Sequence, residues 1–187
     1  HDMVRVALEP KNYRGEPDLN LSKLWTEANK ATLPRSLSSI LKAFEKGFGV
    51  CNYYVVRGGA GDYLRVWLVA PRSISQFVID TLYDVVDGVW KEARRKYRNA
   101  MQQRDYVVGF GDGLRDAIVS ILDKDEDAKR VREDMHFEID MWIKTNMKVR
   151  KAGPSKRRVD KMAGSYVSGR ARGAGAAGVK STRLCDK

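Results

Sequence analysis

Residues 164 to 183, GSYVSGRARGAGAAGVKSTR, set five glycines beside Lys180, Ser181 and Thr182. A Gly-x4-Gly-Lys-Ser/Thr loop delivers its lysine at a helix start, where it reaches the β- and γ-phosphates of a nucleotide. Here Gly173-x4-Gly178 is followed by Val179 before Lys180, and no strand pattern precedes Gly173. The extra valine turns the lysine away, so a nucleotide loop is rejected. Asp123, Asp125 and Asp127 invite comparison with a calcium loop, but the sixth position is Ala128 and the twelfth is Asp134. A calcium loop needs glycine and a bidentate acid there. These acids instead fit the first turn of a helix, where they offset its dipole. His136 stands among Glu133, Asp134, Glu138 and Asp140. One histidine with carboxylates can act as a general base, although a surface or core-edge histidine is the favoured reading. Cys51 sits among apolar neighbours at a helix-to-strand junction and reads as a packed thiol rather than a nucleophile. With Cys185 as the second of two cysteines, neither a disulfide framework nor a zinc knuckle is in view. The sequence suggests no catalytic residue, no metal site and no cofactor, and a non-enzymatic protein is expected.

Charge is the stronger signal. The 187 residues carry 35 Lys or Arg and 24 Asp or Glu. Residues 144 to 187 hold 13 of the basic residues and, of the acids, only Asp160 and Asp186, so the first 143 residues balance at 22 against 22. All of the formal net charge of +11 therefore lies in the last quarter. A neutral body with a basic terminal segment is a layout suited to a polyanion, and a solubilising tail is the plainer alternative. Lys148, Arg150, Lys151, Lys156, Arg157, Arg158 and Lys161 form one basic block, and Arg170, Arg172, Lys180 and Arg183 form a second inside the Gly/Ala stretch. Small residues let a backbone approach phosphates, and arginine brings forked donors. Arg94, Arg95 and Arg98, in the run KEARRKYR, give a possible secondary basic surface. Because these bases end a helix whose first half is acidic, they also serve its dipole. Tyr53, Tyr63 and Trp67 have the chemistry to stack on bases, but core or hairpin packing is the favoured reading.

The elements that must position these residues follow from periodicity. Residues 3–33 read as an irregular or helical N-terminal segment, with His1 and Asp2 before Met3 resembling a cloning remnant and a helix starting near Leu21. Leu37, Ile40, Leu41, Phe44 and Phe48 recur at helical steps, and the helix ends at Gly47 or Gly49. Residues 51–57 and 63–69 are rich in β-branched and aromatic residues and flank a Gly-Gly-Ala-Gly-Asp turn, which predicts an antiparallel hairpin. In its second strand Leu64, Val66 and Leu68 alternate with Arg65 and Trp67, giving a core face and a more exposed one. A long helix is expected over 73–103, its stripe running from Ile74 and Phe77 through Leu82 and Val89 to Tyr97 and Met101. Further helices are expected at 106–122 and about 126–145. Gly109 and Gly113 lie four apart on one face, as do Gly169 and Gly173, so the 164–183 stretch is expected to dock as a small-residue helix presenting Arg170 and Arg172 outward. No internal repeat is evident. The fold class is α+β, mainly helical, with the hairpin packed on the long helix. A core domain spans 34–146 and a basic Gly/Ala-rich segment spans 147–187. No apolar run is long enough to span a membrane.

The order of Phe48-Gly49-Val50-Cys51, Leu68-Val69-Ala70-Pro71-Arg72, Tyr106-x2-Gly109-Phe110-x2-Gly113-Leu114 and Tyr166-x2-Gly169 resembles the C-terminal domain of a family of unknown function found in tailed-phage and prophage proteins. The resemblance covers roughly 37 to 184, and the small helical domain that often precedes it is not recognisable in 3–33. It implies a setting in the cytoplasm of a host bacterium and supplies no catalytic residues. The resulting expectation is a phage-type accessory protein that binds DNA or RNA with low specificity through its basic C-terminal segment. A module that engages a host protein is the alternative, and no membrane association is expected.

Overall fold

A computed structural model describes residues 1–8, 14, 35–49, 51–57, 64–148 and 159–184, with side chains at 52–57, 64–65 and 178–184 outside the description. Its architecture is mainly helical α+β. Strands β2 (Asn52–Arg57) and β3 (Leu64–Pro71) pair antiparallel, with Asn52 opposite Val69 and Arg57 opposite Leu64. A third strand, β1 (Met3–Ala7), takes the other edge of β3, with Met3 opposite Pro71 and Ala7 opposite Trp67. The expectation of an irregular or helical segment over 3–33 therefore fails at its start. Five residues, MVRVA, are too few for periodicity to stand out, and only their pairing with β3 reveals them. Arg14 is described, its amide donating to Asp80 Oδ1 at 3.3 Å. The helix expected near Leu21 lies outside the described residues.

The period-two alternation of β3 sorts two cores. Val66, Leu68 and Ala70 enter the main one with Ile40, Ile79, Leu82 and Val107. Val69, on the opposite face, joins Met3 and Ile139, with Trp67, Met135 and Trp142 packed alongside. The second face of the hairpin is thus covered by a helix rather than exposed. The main core comes from α1 (Arg35–Lys42), which runs into a π-helical turn at Ala43–Phe48, and from α2 (Arg72–Lys96) and α3 (Ala100–Leu122). The outer cover is α4 (Glu126–Asn146), of which only Ile139 is fully buried. Asp125 caps α4, its Oδ1 accepting from the amides of Asp127 and Ala128, so Asp125, Glu126 and Asp127 are helix-start residues, whereas Asp123 ends α3 and pairs with Arg132 at 2.7 Å. The π-helical turn closes at Gly49, whose φ of 66° lies in the left-handed region that glycine tolerates. A β-carbon there would also stand 2.6 Å from Arg132 Cγ.

The long helix expected over 73–103 is two helices. Tyr97 is extended, with φ −131° and ψ 130°, and Asn99 Oδ1 accepts from the amides of Met101 at 2.8 Å and Gln102 at 3.4 Å. Asparagine is a strong N-cap because its side chain satisfies amides that a new helix leaves open. The apolar stripe continues through this break in sequence but not in space, and Phe77 (59%) and Met101 (62%), both assigned to it, are largely exposed. The chain turns back there, and α3 passes through the middle of the fold. Tyr106 to Gly111 are all buried, so α3 has neighbours on every side. On the α1 side, a β-carbon at Gly111 would meet Ser39 Oγ at 2.5 Å and Ile40 N at 2.8 Å.

Candidate nucleic-acid interface

The last helix, α5 (Gly164–Leu184), lies along α3. A β-carbon at Gly109 would overlap the carbonyl oxygen of Tyr166, and one at Gly113 that of Arg170. Reciprocally, Gly169 abuts the Tyr106 carbonyl and Gly173 the Phe110 carbonyl. The partners rise together along both helices, so α3 and α5 run in the same direction. Four glycines let the backbones meet where Cα–H groups approach carbonyl oxygens, the close packing that a small-xxx-small face permits. The contact has local pseudo-symmetry. Tyr106, Val107, Gly109, Gly113 and Ala117 recur as Tyr166, Val167, Gly169, Gly173 and Ala177, each pair sixty residues apart. A short repeat, Tyr-Val-x-Gly-x3-Gly-x3-Ala, is therefore present although none was evident from sequence. Its signal is the shared spacing of tyrosine and glycine rather than overall similarity.

Polar groups close both edges of this seam. On one, Tyr166 donates to Asp112 Oδ2 at 2.8 Å, Arg170 reaches Asp116 Oδ2 at 3.1 Å, and Arg115 pairs with Asp116 at 2.8 Å. Burial and the hydrogen bond to Asp112 push the Tyr166 phenol up to about 12. On the other, Glu92 of α2 gathers three helices. It accepts from Tyr106 Oη at 2.8 Å, pairs with Lys96 at 3.0 Å and lies 3.3 Å from Arg172 Nε. Partial burial raises the Glu92 carboxyl, but the hydrogen bonds from Lys96 and Tyr106 and the charges of Lys96 and Arg172 outweigh it and hold it below its ordinary range. Burial and the hydrogen bond to Glu92 likewise raise the Tyr106 phenol.

The basic residues fall into distinct settings. Arg170 and Arg172 do face outward, about half exposed at 56% and 50%, but each already holds an acid of the body. Asp116 and Glu92 drew no attention in the sequence, because nothing local marks them as partners of residues that follow 54 and 80 positions later. Lys148 and Lys161 are exposed. Arg150, Lys151, Lys156, Arg157 and Arg158 lie outside the described residues, and Lys180 and Arg183 fall in the last turns of α5, where side chains are not described. Arg94 and Arg95 lie in the last turn of α2, whereas Arg98 sits in the turn before α3, off that helix face. Arg95 and Arg98 are exposed and have no ion pair among the described residues.

Of the other candidates, Trp67 is not available for stacking. It packs in the α4 cluster, and the Arg5 guanidinium lies 4.6 Å from its ring centroid. Tyr63 lies outside the described residues, as does the Tyr53 side chain. His136 has Nε2 3.2 Å from Lys46 Nζ and 3.7 Å from Asp140, and it is mostly covered, in keeping with a core-edge residue. Cys51 is buried, and burial, reinforced by the Glu45 carboxylate, drives its thiol far up, so it stays protonated and unreactive. Among the described residues no helix is long and apolar enough to cross a membrane. Comparison with protein-family models, curated proteins and solved structures finds no match to this chain.

Proposed function

We propose that this protein is a non-enzymatic accessory protein that binds nucleic acid through its basic C-terminal segment, mainly by phosphate contacts. The observation that carries the reading is the charge partition, with all of the net +11 confined to residues 144–187. The form of α5 supports it. Arg170 and Arg172 flank a solvent-facing strip in which Ala171, Ala174 and Gly175 are exposed, so a phosphate backbone can come close between forked donors. Asp116 and Glu92 compete with the ligand for these arginines, which keeps such contacts weak individually and sensitive to salt. The phage setting and a bacterial cytoplasmic location belong to this proposal and rest on the sequence resemblance. The test is an anisotropy titration of a labelled duplex across a range of salt. If about six cations engage phosphates, the log–log slope is near −5. Changing Lys148, Arg150, Lys151, Lys156, Arg157, Arg158 and Lys161 to glutamine should remove most of that slope. Absence of salt-dependent binding to any DNA or RNA sinks the reading.

A host-protein partner is the second reading, favoured by one surface. Val131, Phe137 and Met141 are exposed on α4, and with Asp134 and Glu138 they share one helical face. If this face binds a protein, capture from nuclease-treated bacterial lysate should enrich a partner that a Phe137→Ser, Met141→Ser variant does not.

A further inference from the structure

Gly88 packs against none of the described residues. It lies in the interior of α2, is exposed, and has no described residue within 4 Å of the place a β-carbon would occupy. A glycine in an exposed helix interior weakens the helix relative to alanine. The seam glycines Gly109, Gly113, Gly169 and Gly173 offset that cost by close backbone contact, and Gly88 does not. What it leaves instead is space. Gly88, Lys91, Arg94 and Arg95, all on one side of α2, line a shallow, open surface depression of about 530 Å³, three cations around a floor with no side chain. Glu92 is four residues after Gly88 and three before Arg95, so helical spacing puts it on the rim of this depression. Arg172 stands 3.3 Å from Glu92, so α5 meets the depression at the same rim.

We propose that the depression over Gly88 seats a phosphate of a nucleic-acid backbone, held by Lys91, Arg94 and Arg95 of α2 with Arg172 of α5 at its rim. This rests on the nucleic-acid reading above and extends it from the C-terminal segment onto the body. The chemistry fits the lining. A phosphodiester offers two anionic oxygens, arginine gives paired donors to such groups, and a floor of bare backbone admits the phosphate where any larger residue would stand in its way. The charge is available in part, since Arg94 has a polar partner of its own. Lys91 holds Asp87 at 2.6 Å, while Arg95 has no ion pair among the described residues. Arg172 of α5 meets Glu92 of α2, so a backbone held by Arg172 comes within reach of the α2 cations.

The experiment fills the seat without touching charge. Full-length protein, Gly88→Leu, Arg95→Gln and a control, Arg130→Gln on α4, are titrated with a labelled duplex over a salt series. Gly88→Leu should weaken binding roughly tenfold, the equivalent of one charge-assisted contact. Arg95→Gln should make the slope shallower by about 0.9, and Arg130→Gln should change neither. Steep salt-dependent binding by the native chain that Gly88→Leu and Arg95→Gln leave unaltered overturns the seat while the C-terminal reading stands. No salt-dependent binding by the native chain overturns both. Inorganic phosphate at matched ionic strength should displace the duplex no better than chloride. Saturable displacement by phosphate alone would make the depression a free-phosphate site and overturn its assignment to nucleic acid.

Discussion

The seam between α3 and α5 and the outer face of α2 both place glycine inside a helix, and they use it in opposite ways. At the seam the missing side chain is replaced by a neighbouring backbone. Gly109, Gly113, Gly169 and Gly173 each press against main-chain atoms, which have no rotamer with which to yield. On α2 no described residue comes within 4 Å of the missing side chain's place, and Gly88 is exposed between cations. The same residue in the same secondary structure is thus a packing device in one place and an unfilled position in the other. Composition cannot tell them apart, since each glycine costs its helix a similar amount of conformational entropy. The difference is in what stands opposite.

One substitution made in both places gives the sharpest test of that contrast. Gly169→Ala puts a methyl group into the Tyr106 carbonyl, and Gly109→Ala puts one into that of Tyr166. Relief requires the two helices to separate, so the gain in helix propensity is outweighed and a net loss of about 2 kcal/mol is expected. For a chain of this size that lowers Tm by roughly 4–8 °C. Because Gly109 and Gly169 occupy equivalent places in the pseudo-symmetric contact, their costs should be similar. Measurement is by thermal and urea denaturation. A neutral result at either position would mean that α5 does not depend on backbone contact.

Much of this was legible in the sequence, and the limits have physical causes. The β2–β3 pair follows from β-branched runs around a glycine-rich turn. The Gly109/Gly113 and Gly169/Gly173 spacings mark helix faces built for close approach, but that α3 and α5 use them on each other emerges only from the structure, which brings the recurring Tyr-Val-x-Gly-x3-Gly pairs together. Met3–Ala7 is invisible because a five-residue edge strand is specified by its partner rather than by its own pattern. The break at Tyr97–Asn99 is hidden because helix propensity and apolar spacing both continue across it, and a single Asn cap outweighs them. The acid partners of Arg170 and Arg172 are contacts of tertiary structure alone. Gly88 is inconspicuous in the sequence for a different reason. It sits in an otherwise ordinary helix, and only the empty space beside it sets it apart.

The polar edges of the seam should contribute less than its glycines. Glu92→Gln keeps the shape but weakens the hold on Lys96, Tyr106 and Arg172, and about 1.5 kcal/mol of destabilisation is expected at neutral pH. The sign of its pH dependence follows from a folded-state carboxyl held below its ordinary value of 4.5. Its contribution is present above that value and disappears as pH falls through the lower, folded one. The gap in unfolding free energy between native and Glu92→Gln protein should therefore close on acidification, and a gap that widens would contradict the assignment. Tyr166→Phe removes one hydrogen bond, to Asp112, for about 1 kcal/mol. Here the folded pKa is raised, from 10.0 to about 12, so the contribution is complete below pH 10 and lost as pH rises towards 12. Denaturation at pH 8 and at pH 11 should show the native protein losing more stability than Tyr166→Phe over that interval.

The smallest effect expected has the opposite sign. Gly88→Ala adds a methyl group to an exposed position of α2 where no described residue lies within 4 Å. It reduces the freedom of the unfolded chain and favours the helix, so the protein should gain between about 0.4 and 1 kcal/mol. Tm should rise by roughly 1–4 °C. The substitution that damages the seam should thus improve α2. Joined to binding, the outcome becomes diagnostic. If the open space serves a ligand, Gly88→Ala stabilises the fold while weakening duplex binding, less than Gly88→Leu does, since a methyl group fills less of the depression. A variant that gains stability and binds as tightly as the native chain would leave Gly88 an unused opening, and the two regions would then differ in packing alone.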